Sequence, residues 1–303
     1  MCYIGCTKAW CRDGIMEFYP ERGSLMPLKL VDGGFKHCQY SSNPAIPTSY
    51  SKYIIWDRDV SEEEDVVFYT DDDILKPQPN HRVRVAWLSE PYCKQPFIYN
   101  WVAQNHHQYD YILTNEKLLL DIGEKFLFYP LCGNWIEQTS RKIEHEKTKL
   151  VSIITSDKNR DDTDHWKRHE IIKKYGDKID VMGNGYKPIE LIQTGLIDYM
   201  FNFAMENQAR DYHFSEKIIN PLMVGTIPIY YGPECIGDYF DTRGMIIFKE
   251  VSEVEDILKE ISSKLYQSML PYIKENFKIV TEKYNMIEDW MYENGIFEKV
   301  GAI

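Results

Sequence analysis

The sequence predicts an α/β protein with two Rossmann-like halves, a cleft between them and a helical C-terminus. Three observations lead there. Short apolar runs alternate with helical segments from Val66 onward, one polar stretch interrupts the pattern before it restarts, and from Ser252 the chain reads as amphipathic helix alone. A chain of 303 residues suits about two such units. Up to about residue 60 the apolar pieces are broken by Gly33-Gly34, Pro44 and Pro47, and no element is assigned. Val66-Val67-Phe68-Tyr69 then reads as a strand ending in Asp71-Asp72-Asp73. Val83 to Leu88 alternates and stops at Ser89-Glu90-Pro91. Tyr111-Ile112-Leu113 precedes a helix-like stretch from Asn115 to Ile122, and Phe126 to Tyr129 follows.

The polar run EQTSRKIEHEKTK, Glu137 to Lys149, is the candidate linker. Beyond it come a strand at Leu150–Ile154, a helix at Asp164–Tyr175 and a strand at Asp180–Met182 that stops at Gly183-Asn184-Gly185. A short helix at Pro188–Thr194, a strand at Tyr199–Ala204, a helix at Ser215–Val224 and a strand at Ile227–Tyr231 complete the second half. Ligands of parallel sheets gather outside the carboxyl ends of the strands. Glu90 follows one such end and Glu206-Asn207 another, so the two can face each other across the cleft.

Charge narrows the partners. Lys and Arg number 35 against 47 Asp and Glu, a net −12, which argues against a nucleic-acid surface or docking on anionic lipid. An anionic ligand must then be held by a few well-placed cations. No apolar run reaches the roughly 18 residues of a transmembrane helix. The start, MCYIGCTKAWCRDG, lacks both the basic and the apolar region of a signal peptide, and residue 2 is not Gly, against myristoylation. Seven scattered Cys read as free thiols in a reducing compartment, which makes a cytoplasmic protein the expectation. Cys2, Cys6 and Cys11 cluster, but without zinc-site spacing and with no His before His37. The 22 Tyr suit a sugar-binding cleft or an ordinary core equally.

The segment FNFAMENQARDYHFSEKIINPLMVGTIPIYYGPE is the most informative. Its strand delivers Glu206 and Asn207 to the sheet edge, and its loop carries Asp211 and Tyr212, suited to a base or ribose. Ser215 is a good N-cap for the next helix. Glu216 and Lys217 fall in the first turn, where free N–H groups favour a phosphate. A Lys opposes the helix dipole there. A bound diphosphate would offset that, although a solvated Lys on an exposed helix end is an equal reading. Pro221 inside the helix removes a hydrogen bond and predicts a kink or restart.

The order Met205-Glu206-Asn207, Asp211-Tyr212, Ser215-Glu216-Lys217, Gly225-Thr226-Ile227-Pro228-Ile229 and Gly232-Pro233 resembles the donor signature of glycosyltransferase family 10, the α-1,3/1,4-fucosyltransferases. Met205 stands where that family has Phe, and Ser215 where it has Thr. The resemblance implies a GT-B fold, with an acceptor-binding domain at 1–140, a donor-binding domain at 150–270 and C-terminal helices at 271–303 that pack back toward the N-terminal domain. It implies GDP-fucose as donor, a glycan as acceptor, and no required cofactor, with Mn²⁺ or Mg²⁺ at most stimulatory. It places Glu216 on the ribose, Lys217 on the diphosphate, Asn207 on the donor and Tyr212 against guanine or ribose, with Glu206, Asp211 and Ser215 completing the donor set. Arg168 best fits the family's diphosphate-binding Arg, with Lys167 and Arg160 as competitors. Trp87-Leu88-Ser89-Glu90-Pro91 loosely fits the catalytic Glu.

Transfer from such a donor needs a neutralised diphosphate and a base for the acceptor hydroxyl. Arg168, Lys217 and helix N–H groups supply the first. Glu90 is the candidate base, amid Trp87, Tyr92, Phe97, Tyr99 and Trp101 as stacking surfaces for sugars; a surface carboxylate at a strand end is the bland alternative. Two rivals stand beside this reading. Asp71-Asp72-Asp73 after a strand suits a metal-dependent glycosyltransferase using another nucleotide sugar, or else a simple acidic turn. A carbohydrate-binding protein with a decayed donor fold would bind without transfer.

Overall fold

The computed structural model describes residues 25–33, 51–160 and 163–303. The Cys2, Cys6 and Cys11 cluster lies outside them. The chain is built on two sheets, and every strand pair in both is parallel. The first contains β1 (Met26–Val31), β2 (Ile54–Asp57), β3 (Val66–Thr70), β4 (Val83–Trp87), β5 (Tyr111–Thr114) and β6 (Phe126–Phe128), in the order β2-β1-β3-β4-β5-β6. The second contains β7 (Lys149–Ile154), β8 (Asp180–Met182), β9 (Tyr199–Met205), β10 (Ile227–Tyr231) and β11 (Ile246–Ile247), in the order β11-β10-β9-β7-β8. Strands β3 and β10 are buried along their whole length, as expected where both faces of a parallel sheet are covered. The fold is thus the predicted pair of α/β units.

The helices are α1 (Pro96–Asn105), α2 (Lys117–Leu120), α3 (His165–Tyr175), α4 (Glu216–Met223), α5 (Val254–Glu260), α6 (Ser263–Glu282), α7 (Ile287–Glu293) and α8 (Ile296–Lys299). Two depart from expectation. The stretch Asn115–Ile122 yields only α2, because Leu118 and Ile122 are exposed and Leu119 alone of its apolar residues is buried. A single anchor does not offset helix nucleation over a longer run. The helix expected at Pro188–Thr194 is a 3₁₀ turn at Ile192–Gly195, since Lys187 bridges to Met182 and keeps the preceding chain extended. Strands β1 and β2 fill part of the region where no element was assigned.

Each sheet has its own core. Helix α6 lays Tyr266, Met269, Ile273 and Val280 against the second. The last helices cross back to the first: Met291, Ile296, Phe297 and Val300 join Trp56, Phe68 and Trp87. Polar groups seal this return. Trp56 Nε1 donates to Glu288 at 3.0 Å, and Ser51 Oγ donates to Asp289 at 2.7 Å.

The polar connection between the sheets is pinned along its length. Gly133 N donates to Tyr284 O, Trp135 N to the Asn220 side chain, and Lys147 Nζ to the carbonyls of Ile197 and Val224 and to Thr226 Oγ1, each at 2.8 or 2.9 Å. A run that reads as solvated linker therefore carries anchors into the second sheet. The carboxyl edges of the two sheets also touch. Arg210 bonds Glu116 at 2.7 Å and lies 4.6 Å from the Tyr92 ring centroid. His213 meets Asn115, and Tyr212 packs edge-on against Phe128.

Candidate active site

Strand β9 ends at Met205 because the next two residues turn to polar tasks. Glu206 is fully buried, and its carboxylate accepts from Ser215 N at 2.9 Å and Ser215 Oγ at 2.7 Å. The sequence placed Glu206 among the donor contacts; the structure puts it beneath the site, where it fixes the start of α4. Ser215 is the N-cap as expected, accepting from Lys217 N, and it also accepts from Lys217 Nζ at 3.2 Å. Lys217 Nζ reaches Glu216 Oε1 at 2.9 Å. Burial favours neutral Lys217, but the carboxylates of Glu216 and Glu206 outweigh it and hold its pKa above normal. Burial pushes Glu216 up, yet the charges of Lys217 and Lys94 prevail and leave it below the ordinary carboxylate value.

Helix α3 supplies Arg168, whose guanidinium donates to Met205 O and, at 2.9 Å, to Asn207 Oδ1. Burial lowers its pKa, though an Arg remains charged. The competitor Lys167 is buried elsewhere, donating to Lys249 O at 2.7 Å. Arg168, Glu216 and Lys217 line one cavity of about 710 Å³, together with Trp135, Asn184 and Pro221. Pro221 lacks the N–H that would pair with the Lys217 carbonyl, and its ring forms wall instead. The cavity floor needs Gly183: at φ +114° a Cβ there would lie 1.9 Å from Thr155 O.

A second cavity of about 620 Å³ carries Glu90 and Asn207 on its lining, with Arg160, His165 and Lys94. Glu90 follows β4 as predicted. Its Oε2 pairs with Lys94 Nζ at 2.7 Å, and its main-chain carbonyl accepts from Tyr99 OH at 2.8 Å. The loop is propped from behind by Asp71, which accepts from Ser89 Oγ at 3.1 Å and Gln95 Nε2 at 2.9 Å. Asp73 accepts from Gly33 N. Two carboxylates of the Asp cluster are thus taken up by turns. Among the described residues, no three His, Cys, Asp or Glu side chains gather closely enough to hold a metal ion.

The structure brings Arg168, Glu216 and Lys217 to one wall, with Glu90 and Asn207 around the adjoining cavity. It does not bring Asp211 or Tyr212 to either lining. Tyr212 sits at φ +63°, its N–H toward Cys235 Sγ and its ring on Phe128. The expected aromatic platform also shrinks. Trp87 and Tyr99 are buried in cores, Tyr92 is engaged by Arg210, and Phe97 is widely exposed at 68%. Sequence reasoning missed Lys94 and Trp135. Lys94 is four residues after Glu90, a spacing that signals an ion pair only when the intervening loop turns.

A family model described as glycosyltransferase family 10 (fucosyltransferase) C-term matches residues 144–283. Alpha-(1,3)-fucosyltransferase B of Drosophila melanogaster is 36% identical over 86 residues, 28% of this chain and 19% of that protein. GDP-fucose protein O-fucosyltransferase 3 of Bos taurus is 34% identical over 67 residues, 22% of this chain and 14% of that protein. The matched stretches thus span less than a fifth of either relative. A crystal structure of an α1,3-fucosyltransferase with GDP superimposes with a TM-score of 0.56 at 18% identity, covering 95% of this chain and 94% of that one. A mutant of S. aureus TarM, in complex with Fondaparinux, alpha-GlcNAc-glycerol and UDP, gives 0.54 at 11% identity, covering 77% and 56%. Both share the GT-B-like arrangement of two parallel α/β sheets. Over residues 144–283, the stretch that carries Arg168, Glu216 and Lys217, the chain is similar to glycosyltransferase family 10, the fucosyltransferases.

Proposed function

We propose that the protein transfers fucose from GDP-fucose to a hydroxyl of a glycan acceptor, with inversion at the anomeric carbon. One observation carries the reading: Arg168 and the first turn of α4, with Lys217, line one wall of a cavity whose neighbour holds Glu90. In the proposed reaction the acceptor oxygen bonds to C1 of the sugar. The bond from C1 to the diphosphate breaks and its electron pair leaves with GDP, while the hydroxyl proton passes to Glu90. Arg168, Lys217 and the N–H groups of α4 meet the charge that develops on the leaving group. These residues neutralise the diphosphate themselves, so turnover is expected to survive EDTA. Loss of turnover in EDTA would favour the metal-dependent alternative.

The names of the relatives support fucose and a guanine nucleotide; the Bos taurus relative adds a protein hydroxyl as a second acceptor class to test. Thermal shift against a panel of GDP- and UDP-sugars tests the donor. Saturation at a hundred times Kd adds about 2.7 kcal/mol, which moves Tm by several degrees. Stabilisation by GDP-fucose and GDP, but not by UDP-sugars, is the expected result; the reverse order sinks the proposal. A cytoplasmic setting remains part of it, supported by free thiols at Cys132 and Cys235 and tested by cell fractionation.

A further inference from the structure

Lys94 stands outside the family signature, yet its position joins the two cavities. Among the described residues it is the one cation that lines both. It comes from the loop after β4 of the first sheet and reaches the donor cavity beside Arg168 and Lys217. Its ammonium sits 2.7 Å from Glu90 Oε2, and its side chain is 46% exposed. An exposed Lys–carboxylate pair is weakly held, because water competes for both charges and a flexible stem must be ordered. A diphosphate with two or more negative charges would outcompete a single carboxylate for that ammonium.

We infer that Lys94 is a third diphosphate ligand, supplied across the cleft by the acceptor half, and that donor binding draws it off Glu90 and frees the base. This rests on the donor reading above. Before the donor arrives, the Lys94 ammonium occupies the Glu90 carboxylate. Once the donor is in place, the same charge stabilises the departing diphosphate, and Glu90 faces the acceptor hydroxyl unpaired. Base activation is thereby tied to an occupied donor site.

The test is a binding cycle read by calorimetry on the intact chain, with GDP and guanosine as probes. Lys94→Gln is expected to weaken GDP about tenfold and leave guanosine unchanged. Glu90→Gln removes the competitor for Lys94, so it is expected to tighten GDP about threefold. That tightening is expected to vanish in the Glu90→Gln, Lys94→Gln double variant. Unchanged GDP affinity in Lys94→Gln overturns the inference, as does an equal loss for guanosine. Equal tightening by Glu90→Gln in both backgrounds overturns the competition. Wild-type protein that binds neither GDP nor guanosine overturns the donor reading itself, a different result from any of these. Lys94 supports no core, so the variant is expected to melt with wild type, and Lys94→Arg is expected to restore most of the GDP affinity.

Discussion

The two sheets present their carboxyl edges to the same cleft in opposite manners. On the donor side the charged groups are interlocked: Glu206 holds Ser215, Ser215 holds Lys217, and Arg168 holds both Met205 O and Asn207. Across the cleft, among the described residues, the Glu90 carboxylate pairs with the half-exposed Lys94, and its loop is propped from behind by Asp71 and Tyr99. A preorganised edge suits a ligand that is always the same, since little reorganisation is needed when charge develops. An edge with a replaceable partner suits a group whose state must change during turnover. The difference assigns fixed electrostatics to one half of the molecule and switchable electrostatics to the other.

The largest effect that would break this contrast is at Glu90. Glu90→Gln is expected to lower the transfer rate by about 10² to 10⁴ while GDP still binds, the range of a lost general base. Full transfer by the variant removes Glu90 from the chemistry. Next is Glu206→Ala, which strands Ser215 and the start of α4 in a buried pocket. It should lose about 3 kcal/mol of stability in urea melts; a neutral result would mean the donor edge is not interlocked. Lys217→Ala, which leaves the fold standing, is expected to weaken GDP more than tenfold by calorimetry, about 1.4 kcal/mol. Smaller still is the latch between the edges: Arg210→Ala should cost about 1 kcal/mol, and a double-mutant cycle with Glu116→Ala should show coupling.

The gentlest probe is pH. Burial pushes the pKa of His213 below its ordinary 6.5, helped by Lys217 and Arg210 and opposed by Glu206 and Glu216. The folded state therefore keeps His213 neutral while the unfolded chain takes a proton first. Its contribution is complete above about pH 6.5 and is lost as pH falls from there through the lower folded value. Tm is expected to decline over that window, and less steeply in His213→Asn. An identical decline in the variant would assign the effect to other groups, such as His165, which shifts the same way.

How much of this was legible follows the same divide. The alternation of strands and helices, the N-cap at Ser215 and the helix start at Glu216-Lys217 are local facts, set by periodicity and capping chemistry. They read directly from residues 199–233. What a motif cannot convey is the face on which each member lies. Glu206 sits in the signature like Asn207, yet beyond the end of β9 the chain tucks Glu206 beneath Ser215 and leaves Asn207 on a cavity lining. Strand β1 and its edge neighbour β2 escaped notice because β1 carries Pro27 and Lys29 within it, and β2 is only four residues long and ends at Asp57. Lys94 escaped because its pairing depends on a loop, Pro91–Gln95, whose turn is held by Asp71 from the turn after β3. Contacts made by tertiary packing leave no periodic trace.

The return of α7 and α8 to the first sheet has a consequence for how the protein is made. Strands β1 to β6 leave the ribosome early, but Trp56, Phe68 and Trp87 wait for Phe297 and Met291 before their core closes. Phe297→Ala would leave a cavity costing about 3 to 5 kcal/mol in the first sheet, although residue 297 is far along the chain. The first half must therefore persist as an unfinished sheet through synthesis of the second, with apolar surface open to chaperones or to other nascent chains. Since β7 to β11 must be translated before that sheet can close, the acceptor half matures only after the donor half has been synthesised.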